Sequence, residues 1–292
     1  MASYLLFLET VVNTLLGLLA AAIALFDPGT HRMPTLEKVA LRPVAYVRTA
    51  FVGRQGVGEL ITALRASEPN ARAAAACSLQ KLGSNATQAI PALVERLSDA
   101  SPVDPSICGE DRTWWKKGVA QQTSPGEEAA AALVSIGTAS LQPLVNAARA
   151  PQWIARRNAV WALGALDDSR GVAPALAALK DTEPPVRETA AWALGALEAV
   201  DAIPALIAAL KDEDSGVRSQ VAWALGAIGD RRAVDGLVGA LKDSDAGVRS
   251  QAAWALGAIG DNRANGALAA ALKDSEVKVR KQAAWALGAI GK

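Results

Sequence analysis

The sequence predicts an all-α chain: a right-handed α-solenoid of stacked two-helix repeats, preceded by an N-terminal transmembrane helix. Three observations carry this. Nearly the same hexapeptide, Ala-Ala-Trp-Ala-Leu-Gly, recurs so that Trp161, Trp192, Trp223, Trp254 and Trp285 stand 31 residues apart; a fixed period of that size marks a solenoid or array. Between the tryptophans lie helix formers, rich in Ala and Leu, with almost no β-branched alternation. Residues 4–26 form an apolar run that reaches roughly 35 Å as a helix, enough to cross a bilayer core of ~30 Å.

Each period holds two apolar segments, such as residues 203–212 and 217–229, parted by polar turns at 213–216 and 230–232. Two antiparallel helices, A and B, follow. At about 100° per residue, Val217, Val221, Ala224, Leu225 and Ile228 of helix B gather in one stripe, which must face the core. Trp223 falls on the other side with Ser219 and Gly226, so the largest side chain of the repeat points away from its own core. Repetition lays a row of indoles along one surface.

The recurring VRxxAAWALGAIGD segment resembles the HEAT-like repeats of the phycobilisome-lyase family over roughly residues 57–291. The resemblance implies about seven HEAT-like repeats, in an architecture used for binding in many settings. It further implies an aspartate–arginine pairing that links turns along the stack. Here the arginines are Arg156, Arg187, Arg218, Arg249 and Arg280; Asp181, Asp212, Asp243 and Asp274 lie six residues before the last four. Such an Asp, at the end of one helix, can bridge to the Arg in the first turn of the next. A phosphate-binding arginine stripe is the functional alternative. The family includes lyases that attach bilin pigments, so a bilin-lyase-like, pigment-handling protein is the alternative function.

Taken in order, residues 1–28 read as the transmembrane anchor. Glu9, Asn13, Gly17, Ala21 and Ala24 recur at helical spacing and form the stripe by which it packs on another membrane helix. Two other readings stay open: a signal peptide cleaved at the small-x-small site Ala22-Ile-Ala24, giving an exported solenoid, and a buried first helix. Arg32, Lys38, Arg42 and Arg48 follow the run and place the repeats on the cytoplasmic side, the periplasm being the alternative. Residues 29–56 are an amphipathic linker on the membrane surface or an N-terminal cap.

The solenoid spans 57–292. Its first two repeats diverge, with Cys77 and Ala131 in the tryptophan slot. An insertion at about 100–126 carries Trp114, Trp115, Lys116 and Lys117, suited to a membrane interface or a partner pocket, or else to tacking the loop onto the solenoid. The last repeat has an apolar helix A around Leu268 and Leu272, which predicts end-to-end packing of two copies or a partner subunit.

Thirty basic and 29 acidic residues nearly cancel, so charge gives no case for a nucleic-acid partner. Catalysis has no foothold: the one histidine is His31, and HExxH, GxSxG, CxxC and P-loop motifs are missing, as is any cofactor or metal signature. Cys77 and Cys108 make neither a metal cluster nor a disulfide framework, although a single pair is open to an exported protein.

The five indoles remain. Either they lie flat on the small residues of an adjoining repeat, or a partner covers them. The expected binding set is the tryptophan row with Ser219, Gln220, Ser250, Gln251, Trp114 and Trp115. The expected function is a membrane-anchored, non-enzymatic protein-binding scaffold or assembly subunit, its partner most naturally part of a membrane complex.

Overall fold

A computed structural model of the chain describes residues 56–108 and 123–291. All regular elements among them are helical. The A helices are α1 (Val57–Ala63), α3 (Ile90–Arg96), α5 (Leu141–Ala147), α7 (Val172–Ala178), α9 (Ile203–Ala209), α11 (Val234–Ala240) and α13 (Asn265–Ala271). The B helices are α2 (Pro69–Leu82), α4 (Pro125–Ile136), α6 (Trp153–Ala165), α8 (Pro184–Ala196), α10 (Ser215–Ile228), α12 (Ala246–Ile259) and α14 (Val277–Ile290). Each A helix packs on the B helix that follows it, and consecutive B helices pack on one another, which makes a HEAT-like solenoid.

The repeat's punctuation explains its geometry. In repeat five, Asp214 caps α10 by accepting a hydrogen bond from the Val217 N–H, satisfying an orphan donor of the first turn. Gly229 ends the helix at φ +74°, a left-handed position that costs glycine nothing. Asp230 then caps a short 3₁₀ turn, Arg231–Ala233, by accepting from the Arg232 N–H, and α11 starts at Val234. Gly260 repeats the left-handed turn, but the equivalent residues of repeats three and four are Asp167 and Glu198, at φ +53° and +47°.

The stripe read from the sequence is the core. Val217, Val221, Ala224 and Leu225 are completely buried, with Ile203 and Leu206 of α9 beside them, while Ile228 at the end of α10 is half-buried. The small Ala224 among the larger Val, Leu and Ile side chains lets neighbouring helices approach closely and the core pack densely.

One expectation is corrected. No helix among the described residues is long and apolar enough to cross a membrane. The longest have 14 residues, about 21 Å, against a bilayer core of ~30 Å, and their apolar faces are used up in packing on other repeats. The single-pass transmembrane helix and the membrane localisation are therefore without support. Residues 4–26, with Glu9, Asn13, Gly17, Ala21 and Ala24, lie outside the described residues, as do 29–55, Trp114 and Trp115.

Candidate functional site

The B helices pack so tightly that a methyl group would not fit at their contact. A Cβ added to Gly195 of α8 would stand 2.8 Å from Cζ3 of Trp223 and 2.9 Å from Cα of Ala224, both on α10. The contact repeats: Gly164 meets Trp192 Cζ3 at 2.9 Å, Gly226 meets Trp254 at 2.8 Å, and Gly257 meets Trp285 at 2.7 Å. Each of these four indoles thus leaves its own core and lies over the glycine of the preceding repeat; the position before Trp161 is Leu133. At the equivalent Gly288 nothing comes within 4 Å.

The rings differ in exposure accordingly. Trp161 is buried and stacks on Trp192, centroids 6.2 Å apart and planes 15° from parallel. Trp192, Trp223 and Trp254 are half-buried, and Trp285 is 48% exposed. The same face carries the half-buried Ser219, Gln220, Ser250 and Gln251, and the exposed Ala227 and Ala258 one turn beyond each tryptophan. Toward its N-terminal part, Arg157 lies 5.8 Å over the Trp153 ring and pairs with Glu127 at 2.8 Å. In the slot of Ser219 and Ser250 the other repeats carry Arg157, Glu188 and Lys281, so the surface is apolar and weakly polar in repeats five and six and charged on either side.

An arginine ladder flanks this face. Arg218 Nε and Nη2 donate to the two carboxylate oxygens of Asp243, in the next repeat, at 2.7 and 2.9 Å. Its Nη1 donates to the backbone carbonyls of Asp212 and Glu213, in its own repeat. Arg156–Asp181, Arg187–Asp212 and Arg249–Asp274 repeat the bidentate pair, and Arg72 reaches Asp99 at 2.6 Å. The side-chain pair thus spans 25 residues between repeats in the later part of the stack. Six residues before Arg187, Arg218, Arg249 and Arg280, the Asp offers its carbonyl instead of its carboxylate, and before Arg156 and Arg72 an alanine does the same. Arg280 binds the carbonyls of Asp274 and Ser275.

Hydrogen bonds from these arginines hold the carboxyls of Asp181, Asp243 and Asp274 below the ordinary carboxylate range. Burial, the largest single influence, pushes Asp99 and Asp212 up, but hydrogen bonds from Arg72 and Ser101 to the first, and from Arg187 and the Asp214 N–H to the second, together leave both lowered. With its guanidinium held by two carbonyls and a carboxylate, Arg218 has little left to offer a phosphate. The arrangement is a turn-to-turn clamp.

One feature escapes the sequence reading, and a second is left open there. Arg170, Arg232 and Arg263 form a second ladder at the opposite turns, each folding back on the Asp two residues before it. Hydrogen bonds from Arg170 and Arg232 lower Asp168 and Asp230 to about 2. Arg263 also reaches the carbonyl of Arg231 in the preceding repeat at 2.8 Å. The Asp-x-Arg spacing of these turns is the signal that could have found this ladder. The second feature is a disulfide between Cys77 on α2 and Cys108, at the end of the 3₁₀ turn Pro105–Cys108 in the insertion.

Together these contacts define a helical-repeat scaffold whose B helices are sealed by indole on glycine and whose turns are clamped by arginine on aspartate. The family model for HEAT repeats matches residues 126–195, 141–216, 172–247 and 237–292, and that for the PBS lyase HEAT-like repeat matches 71–99. The chain belongs to the HEAT-repeat family. No curated protein matches it in sequence.

Among solved structures, Kap121p is 17% identical with a TM-score of 0.61, over 84% of this chain and 30% of that one. YibA of Escherichia coli is 20% identical with a TM-score of 0.57, over 90% and 89%. The complex of CpcE and CpcF of phycocyanin lyase from Nostoc sp. PCC7120 is 23% identical with a TM-score of 0.45, over 81% and 95%. At these identities the likeness concerns the fold.

Proposed function

We propose that the chain is a non-enzymatic scaffold that binds a protein partner on its helix-B face. The observation that supports this most is the composition of that face. In repeats five and six, half-buried indoles, Ser219, Gln220, Ser250, Gln251 and exposed alanines make a weakly polar patch between Glu188 and Lys281, as in the core of an interface with a charged rim. The indoles are already seated on glycines, so they stiffen the surface, and the groups beside them meet the partner.

The test leaves the tryptophans alone. Ala227→Glu and Ala258→Glu place carboxylates on exposed positions and disturb no internal contact. They are expected to abolish co-purification with the partner that wild type retains under mild conditions, with helicity unchanged. Retained partner would count against this face.

A further inference from the structure

The insertion is fastened to the solenoid at a cluster that a disulfide alone does not explain. Cys77 occupies the tryptophan slot of repeat one and is buried, while Cys108 is half-buried, with Cα atoms 5.8 Å apart. Glu128, on α4 of the next repeat, is 1% exposed, and its Oε2 lies 3.5 Å from Cys77 Sγ. Thr123 donates its hydroxyl to Glu128 Oε1 at 2.8 Å. One donor atom from each of Cys77, Cys108 and Glu128 lies within 4.8 Å of the others.

The chemistry of that contact depends on the sulfur. A disulfide sulfur carries no proton, so it can only accept at this contact, from Glu128 in its neutral form, and an ionised carboxylate would set lone pairs against lone pairs. A thiol donates a hydrogen bond there, and a thiolate shares a cation with the carboxylate. Two thiolates and a carboxylate are the donors that zinc takes, with about 2.3 Å to sulfur and 2.0–2.2 Å to oxygen. Tetrahedral zinc sets its two sulfurs about 3.7 Å apart, so side-chain rotation at these cysteines suffices to pass from one state to the other. The Thr123 hydroxyl fixes the carboxylate, as outer-shell donors do for metal ligands.

We propose that Cys77, Cys108 and Glu128 form a zinc site once the Cys77–Cys108 bond is reduced. The bond takes two electrons and two protons from a dithiol, which leaves as its own disulfide. Zn²⁺ then displaces the two thiol protons and is held by both sulfurs and the carboxylate, with a fourth position for water. The insertion is thereby pinned to the first two repeats in both states, by a covalent bond under oxidising conditions and by zinc under reducing ones.

The test uses the full chain, reduced with a phosphine and freed of metal under inert gas, then titrated with Co²⁺ and competed with Zn²⁺. Reduced wild type is expected to develop thiolate-to-cobalt charge-transfer absorption at one equivalent per chain, lost on adding zinc. The oxidised chain should show none. Cys108→Ser, which leaves the core packing of Cys77 in place, should lose the band. Glu128→Gln should weaken zinc binding at least about tenfold, in line with the loss of a well-placed ligand shell group. Circular dichroism verifies that each variant folds. A folded, reduced wild type without the band would overturn the proposal, as would Glu128→Gln binding zinc as tightly as wild type.

Discussion

Cζ3 of Trp223 lies 2.8 Å from the point where a Cβ on Gly195 would stand, so the indole of repeat five fills the place of a methyl group in repeat four. Sequence spacing alone makes the tryptophans look like a displayed row. The contact makes them a seam, because the ring and Ala224 together occupy the space that glycine vacates.

The seam predicts opposite signs for one substitution. Gly226→Ala forces a Cβ to within 2.7 Å of the Ala255 Cα and 2.8 Å of Trp254, and should cost about 1–3 kcal/mol by overpacking. Gly288→Ala meets nothing within 4 Å and should be neutral or stabilise by up to about 1 kcal/mol through helix propensity. Urea unfolding of the two variants decides it. Equal effects would mean that the glycines do not register the repeats.

Truncating the indoles should follow burial. Trp161→Ala, at 8% exposure, is expected to cost about 3–5 kcal/mol, the range for a buried aromatic. Trp285→Ala, half exposed, should cost clearly less. A uniform loss along the row in thermal unfolding would contradict the gradient.

Glu198 sits in the left-handed position that Gly229 and Gly260 occupy in later repeats. Glu198→Gly should therefore raise stability by about 1 kcal/mol, the relief of left-handed strain outweighing the added freedom of the unfolded chain. A drop in the unfolding midpoint would show that the side chain carries a compensating contact.

The Arg218–Asp243 pair is almost out of solvent, with side chains 13% and 11% exposed. Arg218→Met should cost about 3–5 kcal/mol, since it leaves Asp243 buried without its cation. The ladder also fixes a pH dependence. The folded pKa values of Asp181, Asp243 and Asp274 lie below their unfolded value of 3.8, so the stabilisation is complete above that value and is lost as pH falls through the folded values. Stability should be nearly flat above about pH 5 and fall below about pH 4, and Asp243→Asn should flatten the fall. Loss between pH 8 and 6 would contradict it.

Much of the fold was legible because the repeat writes it seven times. Period, stripe and turn residues such as Asp214 and Gly229 act within a few positions of each other, and their effect is local. What crossed between repeats was not. Spacing shows Asp212 six residues before Arg218, but the carboxylate that Arg218 grips belongs to Asp243, because stacking brings the next turn closer than the chain's own. For Trp223 the sequence leaves two outcomes, flat on an adjoining repeat or covered by a partner, because a helical wheel knows nothing of the neighbouring helix. The contact with Gly195 is the first of them. The sulfur–carboxylate cluster draws Cys77, Cys108 and Glu128 from three elements, a spacing that matches no ligand motif.

The central claim is that the helix-B face, and not the outer A helices, receives the partner. A photo-cross-linking amino acid placed at Ala227 or Ala258 on the helix-B face, and at the exposed Ala208 on α9, tests it most directly. Irradiation of cells carrying each variant, followed by mass spectrometry, should join the same single protein to positions 227 and 258 and not to 208. Cross-links to that protein from Ala208, with none from the helix-B positions, would place recognition on the other side of the solenoid.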